Sequence, residues 1–184
     1  MNYKDYQNSR DAVWELLIRH QVNRLPIKVG AICKQEGIEV RYYRPTDDSD
    51  GYSTIIGNQP VIFVSSDAPV PRQRFTCAHE LGHIILGHVG KYELVNREPA
   101  AGDNPIEQAA NVFASRLLAP ACVLWGCHVQ SADDIMELCG ISRQAAEYRM
   151  ERMRLLYARN KFLVSPMERQ LYDQFRAYIE EHSL

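Results

Sequence analysis

The segment with the clearest capacity for chemistry is FTCAHELGHIILGH, residues 75–88. It places His79 and His83 four residues apart, with Glu80 directly after the first histidine. Residues on a helix advance by about 100° each, so the two imidazoles lie one turn apart and can converge on one ion. Neutral imidazole binds zinc well, and the Glu80 carboxylate lies beside the ion, where it can take a proton from a zinc-bound water. This H-E-x-x-H pattern predicts a metallopeptidase-type metal site.

Two histidines do not complete such a site, because a catalytic zinc usually takes three protein ligands and one water. His88 is the nearest further histidine. On a continued helix it lies about 180° around the cylinder from His79, so we expect it to point away from the metal, at the C-terminal end of the helix dipole. The longer motif with a third histidine six residues beyond the second is excluded, because that position holds Val89.

Glu107 is the better third ligand, because it lies in the first turn of the next predicted helix and shares a face with Asn111. Asn111 can then hydrogen-bond to a liganding histidine, as such ligands require. Weaker alternatives lie in the intervening loop, where nothing fixes their direction: Glu93, Glu98 and Asp103. The other interpretation of Glu107 is an acidic residue favoured only by the helix dipole.

The elements that must position these residues are predicted from apolar periodicity and from helix-boundary residues. The motif helix is expected over residues 71–87. The next helix is expected to begin at Pro105, with Asn104 as its N-cap, and to end before Pro120.

Ahead of the motif, the pattern changes from helical to β-branched and aromatic, and a Gly57-Asn58 turn divides the second β-rich run. A sheet of about three strands follows from this pattern. Its last strand, residues 61–65, is expected at the sheet edge near the cleft, where an extended substrate could pair with it. The helical patterns cover residues 11–22 and 25–35, and the β-rich runs cover residues 38–43 and 52–66.

From residue 131 onward the chain is predicted to be helical, and DIMELCGISRQAAEYRM has the layout of a helix-turn-helix, with Gly140 at the turn and Ser142 as N-cap. In one interpretation, four residues face DNA: Arg143, Gln144, Arg149 and Arg152. In the other, six apolar residues pack the hairpin against the core: Ile135, Leu138, Ile141, Ala145, Ala146 and Met150. Glu147 and Glu151 dilute the positive charge, which favours packing over DNA binding.

The 184-residue length and 46% hydrophobic composition predict a single compact unit, with a peptidase core over residues 1–128 and a helical extension over 129–184 packed on it. A net charge of -2 gives no general attraction to nucleic acid or to a membrane surface. The amino terminus lacks the apolar segment of a signal peptide, and no run is long enough to span a membrane. Five cysteines without framework spacing predict a reducing, cytoplasmic location.

Three motifs in order, RFTCAHELGHIILGH, EQAANVFASRLLAP and GISRQAAEYRM, resemble the ImmA/IrrE family of bacterial and phage metallopeptidases over residues 25–153. The resemblance implies a zincin-like α+β fold, with His79, His83 and Glu107 as ligands of one Zn²⁺ and Glu80 as general base. Mn²⁺ or another divalent ion is an alternative metal. It also implies an intracellular protease that acts on helix-turn-helix repressors of mobile elements or stress responses.

Stabilising the oxyanion of a peptidase reaction needs a further hydrogen-bond donor, and residue type alone leaves four candidates open: Tyr92, His128, Tyr148 and Arg149.

The sequence is compatible with three functions: a zinc endopeptidase, a DNA-binding regulator with a non-catalytic metal site, and a module that binds a repressor without cutting it. The intact Glu80 favours the endopeptidase, because a structural metal site needs a fourth ligand and has no use for a base.

Overall fold

A small sheet and a series of helices make up the chain in the computed structural model, which describes residues 3–89 and 104–183. The predicted α+β class with a three-stranded sheet is confirmed. Before and around the motif, the elements are α1 (Tyr3–Arg19), α2 (Val29–Gln35), β1 (Glu39–Tyr43), β2 (Gly51–Ile56), β3 (Gln59–Ser65), α3 (Val70–Ile85) and α4 (Pro105–Leu118). After it come α5 (Ala121–Gly126), α6 (Ala132–Cys139), α7 (Arg143–Arg159), α8 (Pro166–Gln174) and α9 (Arg176–Glu181).

The strand order of the sheet is β1-β3-β2, with β1 parallel and β2 antiparallel to β3. The prediction that residues 61–65 form a sheet edge is therefore wrong, since β3 is the central strand and β2 is an edge. Both edges of β3 are paired, and its apolar run QPVIFVS carries buried residues on both faces of the sheet. Ser53 of β2 lies opposite Ile62 of β3.

Helix α3 lies close to β2 at Gly51. A Cβ atom at Gly51 would lie 2.4 Å from Cγ2 of Thr76 on α3 and 2.4 Å from the carbonyl oxygen of Phe63 on β3. Only glycine fits between the two elements. This close approach brings β2 beside the helix that carries the histidine motif.

Helix α1 spans Tyr3–Arg19, whereas the helical pattern covered residues 11–22. Three further differences from the prediction have a local reason. Helix α2 begins at Val29 and not at residue 25, because a residue that precedes proline, here Leu25 before Pro26, avoids the helical conformation. Helix α3 ends at Ile85 and not at residue 87, because Gly87 adopts a positive φ of 72°. Helix α5 was not predicted, since the pattern ended at Pro120 and the helix restarts directly after it.

Helices α2 and α3 contact each other through two buried thiols. The Sγ atoms of Cys33 and Cys77 lie 4.0 Å apart, and this contact, together with burial, raises the pKa of Cys33 far above its usual range. The Cys33 thiol is therefore protonated and behaves as a small apolar group.

The chain divides into two compact units, residues 1–12 with 28–114 and residues 13–27 with 115–184. The first contains the sheet, α2 and α3, and the second contains α5 to α9. The predicted division into a core over 1–128 and an extension over 129–184 stays a prediction.

The helix-turn-helix layout in the second unit is present, with Gly140 in the left-handed conformation and Ser142 accepting a bond from the Ala145 backbone N–H. Five of the six apolar residues expected to pack are buried: Ile135, Leu138, Ile141, Ala146 and Met150. Arg149 is also buried, and Arg143 pairs with Asp133 at 2.7 Å. Two of the four residues considered for DNA contact are thus engaged within the protein.

Contrary to the expectation that no run is long enough, one helical stretch, Pro105–Gly126, has the length and composition of a membrane span, although most of it is buried within the protein. It comprises α4 and α5, which meet at Pro120. Burial of this kind is typical of core helices.

Candidate metal centre

The candidate centre lies between α3 and α4, where His79, His83 and Glu107 bring their ligand atoms within 4.8 Å of one another. The Nε2 atoms of the two histidines are 3.0 Å apart. Oε2 of Glu107 is 3.1 Å from Nε2 of His79, and Oε1 is 3.3 Å from Nε2 of His83. The structure thus brings together the three residues that the sequence nominated as metal ligands.

These separations suit a single divalent ion. Two atoms that bind one zinc tetrahedrally lie about 3.3 Å apart, because each is about 2.0 Å from the metal. Two imidazole nitrogens and one carboxylate are also the donor set of an open, catalytic zinc site. An ion held here would replace the protons that these three side chains share with one another.

Electrostatics favour an anionic Glu107. Hydrogen bonds from His79 and His83 hold the pKa of the Glu107 carboxyl well below its usual range, although partial burial opposes them. The side chain keeps 30% of its surface exposed, whereas that of His83 keeps 7%. The cluster is therefore accessible from the Glu107 side.

The start of α4 fixes where Glu107 lies. Oδ1 of Asn104 accepts a hydrogen bond from the Ile106 backbone N–H at 3.0 Å, and Pro105 is the first helical residue. This is the predicted N-cap. Glu107 consequently lies in the first turn, where the positive end of the helix dipole favours a carboxylate.

Asn111, one turn after Glu107, contacts the other nitrogen of His79. Its Oδ1 lies 2.9 Å from Nδ1 of His79. A carbonyl oxygen can only accept, so Nδ1 of His79 donates the proton and the ring orientation is fixed with Nε2 toward the cluster.

His88 is not among the clustered ligand residues, but neither does it lie on the far side of α3, where a continued helix would put it. Its Nδ1 lies 3.1 Å from Nδ1 of His83, with the rings edge to face at 5.2 Å between centroids. The helix ends before His88 in a Schellman motif, in which the His88 N–H bonds to the His83 carbonyl and the Gly87 N–H bonds to the Ile84 carbonyl. This reversal folds His88 back onto His83. Burial, followed by the proximity of His83, lowers the pKa of His88, so the ring is neutral at pH 7.

Glu80 is buried beside the ligands and is held by the sheet. The hydroxyl of Ser53 on β2 donates to Oε2 of Glu80 at 2.7 Å. Only 8% of Glu80 is exposed. Sequence reasoning missed both Ser53 and His88, since neither contact follows from helical spacing and the sheet order was needed to place Ser53.

Close packing at Gly82 sets the distance between α3 and α4. A Cβ atom at Gly82 would lie 2.9 Å from Cδ1 of Phe113, whose side chain is fully buried. Gly82 directly precedes His83, and Phe113 lies on the helix that carries Glu107. The absence of a side chain at Gly82 therefore allows the ligands of the two helices to meet.

We expect Gly82→Ala to lower the free energy of unfolding by about 1–2 kcal/mol, because overpacking against a fixed ring outweighs the better helix propensity of alanine. Denaturant unfolding measures this change. Gly30→Ala is the matched control, since Gly30 is also helical and a Cβ atom there meets nothing within 4 Å. A stabilised Gly82→Ala variant would show that the two helices are not in contact at this point.

The other residues considered from the sequence fall into two groups. Tyr92, with the alternative ligands Glu93, Glu98 and Asp103, lies outside the described residues. Three candidate oxyanion donors belong to the second compact unit: His128, Tyr148 and Arg149. The donor stays unassigned.

The chain is similar to a known protein family. The Peptidase M78 family model, described as an IrrE N-terminal-like domain, matches residues 33–151. This range contains α3, α4 and every residue of the cluster described above. No curated protein matches the chain.

Proposed function

The chain belongs to the M78 peptidase family, a family of metallopeptidases with an IrrE N-terminal-like domain, and on this premise we propose that it is a zinc-dependent endopeptidase. The observation that carries the proposal is the convergence of His79, His83 and Glu107 on one point, with Glu80 buried beside them. The matched range falls within residues 25–153, which carried the resemblance to ImmA/IrrE proteins.

His79, His83 and Glu107 hold the metal in this proposal, and Zn²⁺ is the ion that best suits two imidazoles and one carboxylate. When bound, the metal supplies a Lewis acid that stabilises negative charge on the scissile carbonyl. Glu80 takes the proton of the attacking water and passes it to the leaving amine. Ser53 holds the Glu80 carboxylate in position through its 2.7 Å hydrogen bond.

The substrate is a protein segment that binds in extended form along β2. An edge strand can pair with such a segment through main-chain hydrogen bonds, and β2 is an edge beside Glu80. Ile55, two residues after Ser53 on the same face of β2, is 47% exposed and offers an apolar contact. This arrangement favours a flexible or unfolded region of the target.

The likeness to ImmA/IrrE proteins supports a helix-turn-helix repressor as the substrate, and a cytoplasmic location with it. Packing argues against DNA binding by the chain itself, because Arg149 is buried and Arg143 is paired with Asp133. Phosphate contacts need exposed cationic side chains on one face. A repressor encoded by a neighbouring gene is the first substrate to try.

The test is incubation of the zinc-loaded protein with that repressor, followed by mass spectrometry of the products. We expect one cut, its loss on treatment with a metal chelator, and its recovery when Zn²⁺ is restored. Stable binding to the repressor without any fragment, with the metal loaded, would instead identify a module that binds without cutting. Cleavage that persists in the chelator would exclude a metallopeptidase.

A further inference from the structure

We propose that His88 is a positioning residue of the metal centre, which accepts a hydrogen bond from Nδ1 of His83 and so directs the lone pair of His83 Nε2 to the metal. The inference rests on the proposed function, because it concerns the same ion. It adds a residue that the H-E-x-x-H pattern does not contain.

The two Nδ1 atoms of His83 and His88 are 3.1 Å apart, so one must donate and the other must accept. A neutral imidazole carries one N–H, so an accepting Nδ1 in His83 would place the proton on its Nε2 atom. That atom faces His79 at 3.0 Å and Glu107 at 3.3 Å, where a ligand must present a lone pair. Metal binding is therefore compatible only with His83 as donor and His88 as acceptor.

The chain builds this contact locally. Gly87, with φ of 72°, ends α3, and the His88 N–H bonds to the carbonyl of His83 at 2.8 Å. Backbone and side chain of His88 thus both bind to His83. Because the reversal follows directly after the helix, no other element is needed to hold the acceptor in place.

His79 and His83 consequently have separate supports. Asn111 accepts from Nδ1 of His79, and His88 is the counterpart for His83. Partners of this kind orient the ligand ring and raise its basicity, and their loss typically lowers metal affinity about 10–100-fold.

The test measures the dissociation constant for Zn²⁺ by competition with a chromophoric chelator, in the absence of any substrate. His88→Phe keeps a ring but removes the acceptor, and we expect affinity to fall about 10–100-fold. His88→Asn places an amide oxygen at the position of Nδ1 and should restore affinity close to that of the parent. His88→Gln carries the same amide one carbon further out and should not restore it.

His182→Phe is the matched control, since His182 lies in the second unit, stacked on Tyr178, and its loss should leave the affinity unchanged. Asn111→Ala gives the benchmark for removing such a contact from His79. If His88→Phe does not fold, as judged by thermal unfolding without metal, the Asn and Gln variants decide the matter. Equal affinities in these two variants, or a parent-like His88→Phe, would overturn the role of His88. A parent protein that binds no zinc would overturn the proposed function, and the role of His88 with it.

Discussion

Glu80→Gln is expected to abolish turnover while the protein still binds its metal. Glutamine has the shape of glutamate, but its amide cannot take a proton from water. General acid–base catalysis contributes about 10²–10⁴-fold to a reaction rate, so the rate of cleavage should fall by at least about 100-fold. Neither the ligand set nor the Ser53 hydrogen bond is lost, because the Ser53 hydroxyl can still donate to the amide oxygen. Cleavage of the repressor and metal content per chain, measured on the same preparation, give the two readouts.

A parent-like cleavage rate in Glu80→Gln would remove Glu80 from the mechanism. Loss of metal together with activity would instead give Glu80 a structural part in the centre. Ser53→Ala is a useful companion variant, since it removes only the hydroxyl that holds the carboxylate. Its cleavage rate should lie between those of the parent and Glu80→Gln.

Helical geometry explains why so much of the candidate site could be predicted from the sequence. The spacing of His79 and His83 fixes their relative direction on any helix, and the N-cap at Asn104 with Pro105 fixes where Glu107 begins the next one. None of these inferences depends on where the remainder of the chain lies. The matched family range adds support from outside the residues themselves.

The features that were predicted wrongly or not at all depend on more than one helix or strand. His88 contacts His83, and does not lie on the far side of the helix, because α3 does not continue through Gly87, where the backbone reverses. The edge assignment of residues 61–65 failed because strand order depends on β1, which pairs with β3 across a long separation in sequence. Ser53 could not be linked to Glu80 until β2 was known to lie beside α3.

Glu107→Gln is the second decisive variant, and it separates a metal ligand from a residue that only favours the helix dipole. As a ligand, Glu107 supplies the sole negative charge among the three donors, so its loss should weaken Zn²⁺ binding by at least about 100-fold, more than loss of an outer partner. As a dipole residue, it should cost about 0.3–1 kcal/mol of unfolding free energy and leave the affinity for Zn²⁺ unchanged.

Zinc affinity and unfolding without metal, measured on the same Glu107→Gln protein, therefore distinguish the two interpretations. Matched controls are the acidic residues that the sequence left as alternatives, replaced as Glu93→Gln, Glu98→Gln and Asp103→Asn. Each of these should bind zinc as the parent does. If Glu107→Gln keeps its zinc and one of the three controls loses zinc, the third ligand is that control residue, in the segment between α3 and α4. A third ligand is required because two histidines alone do not hold a catalytic ion.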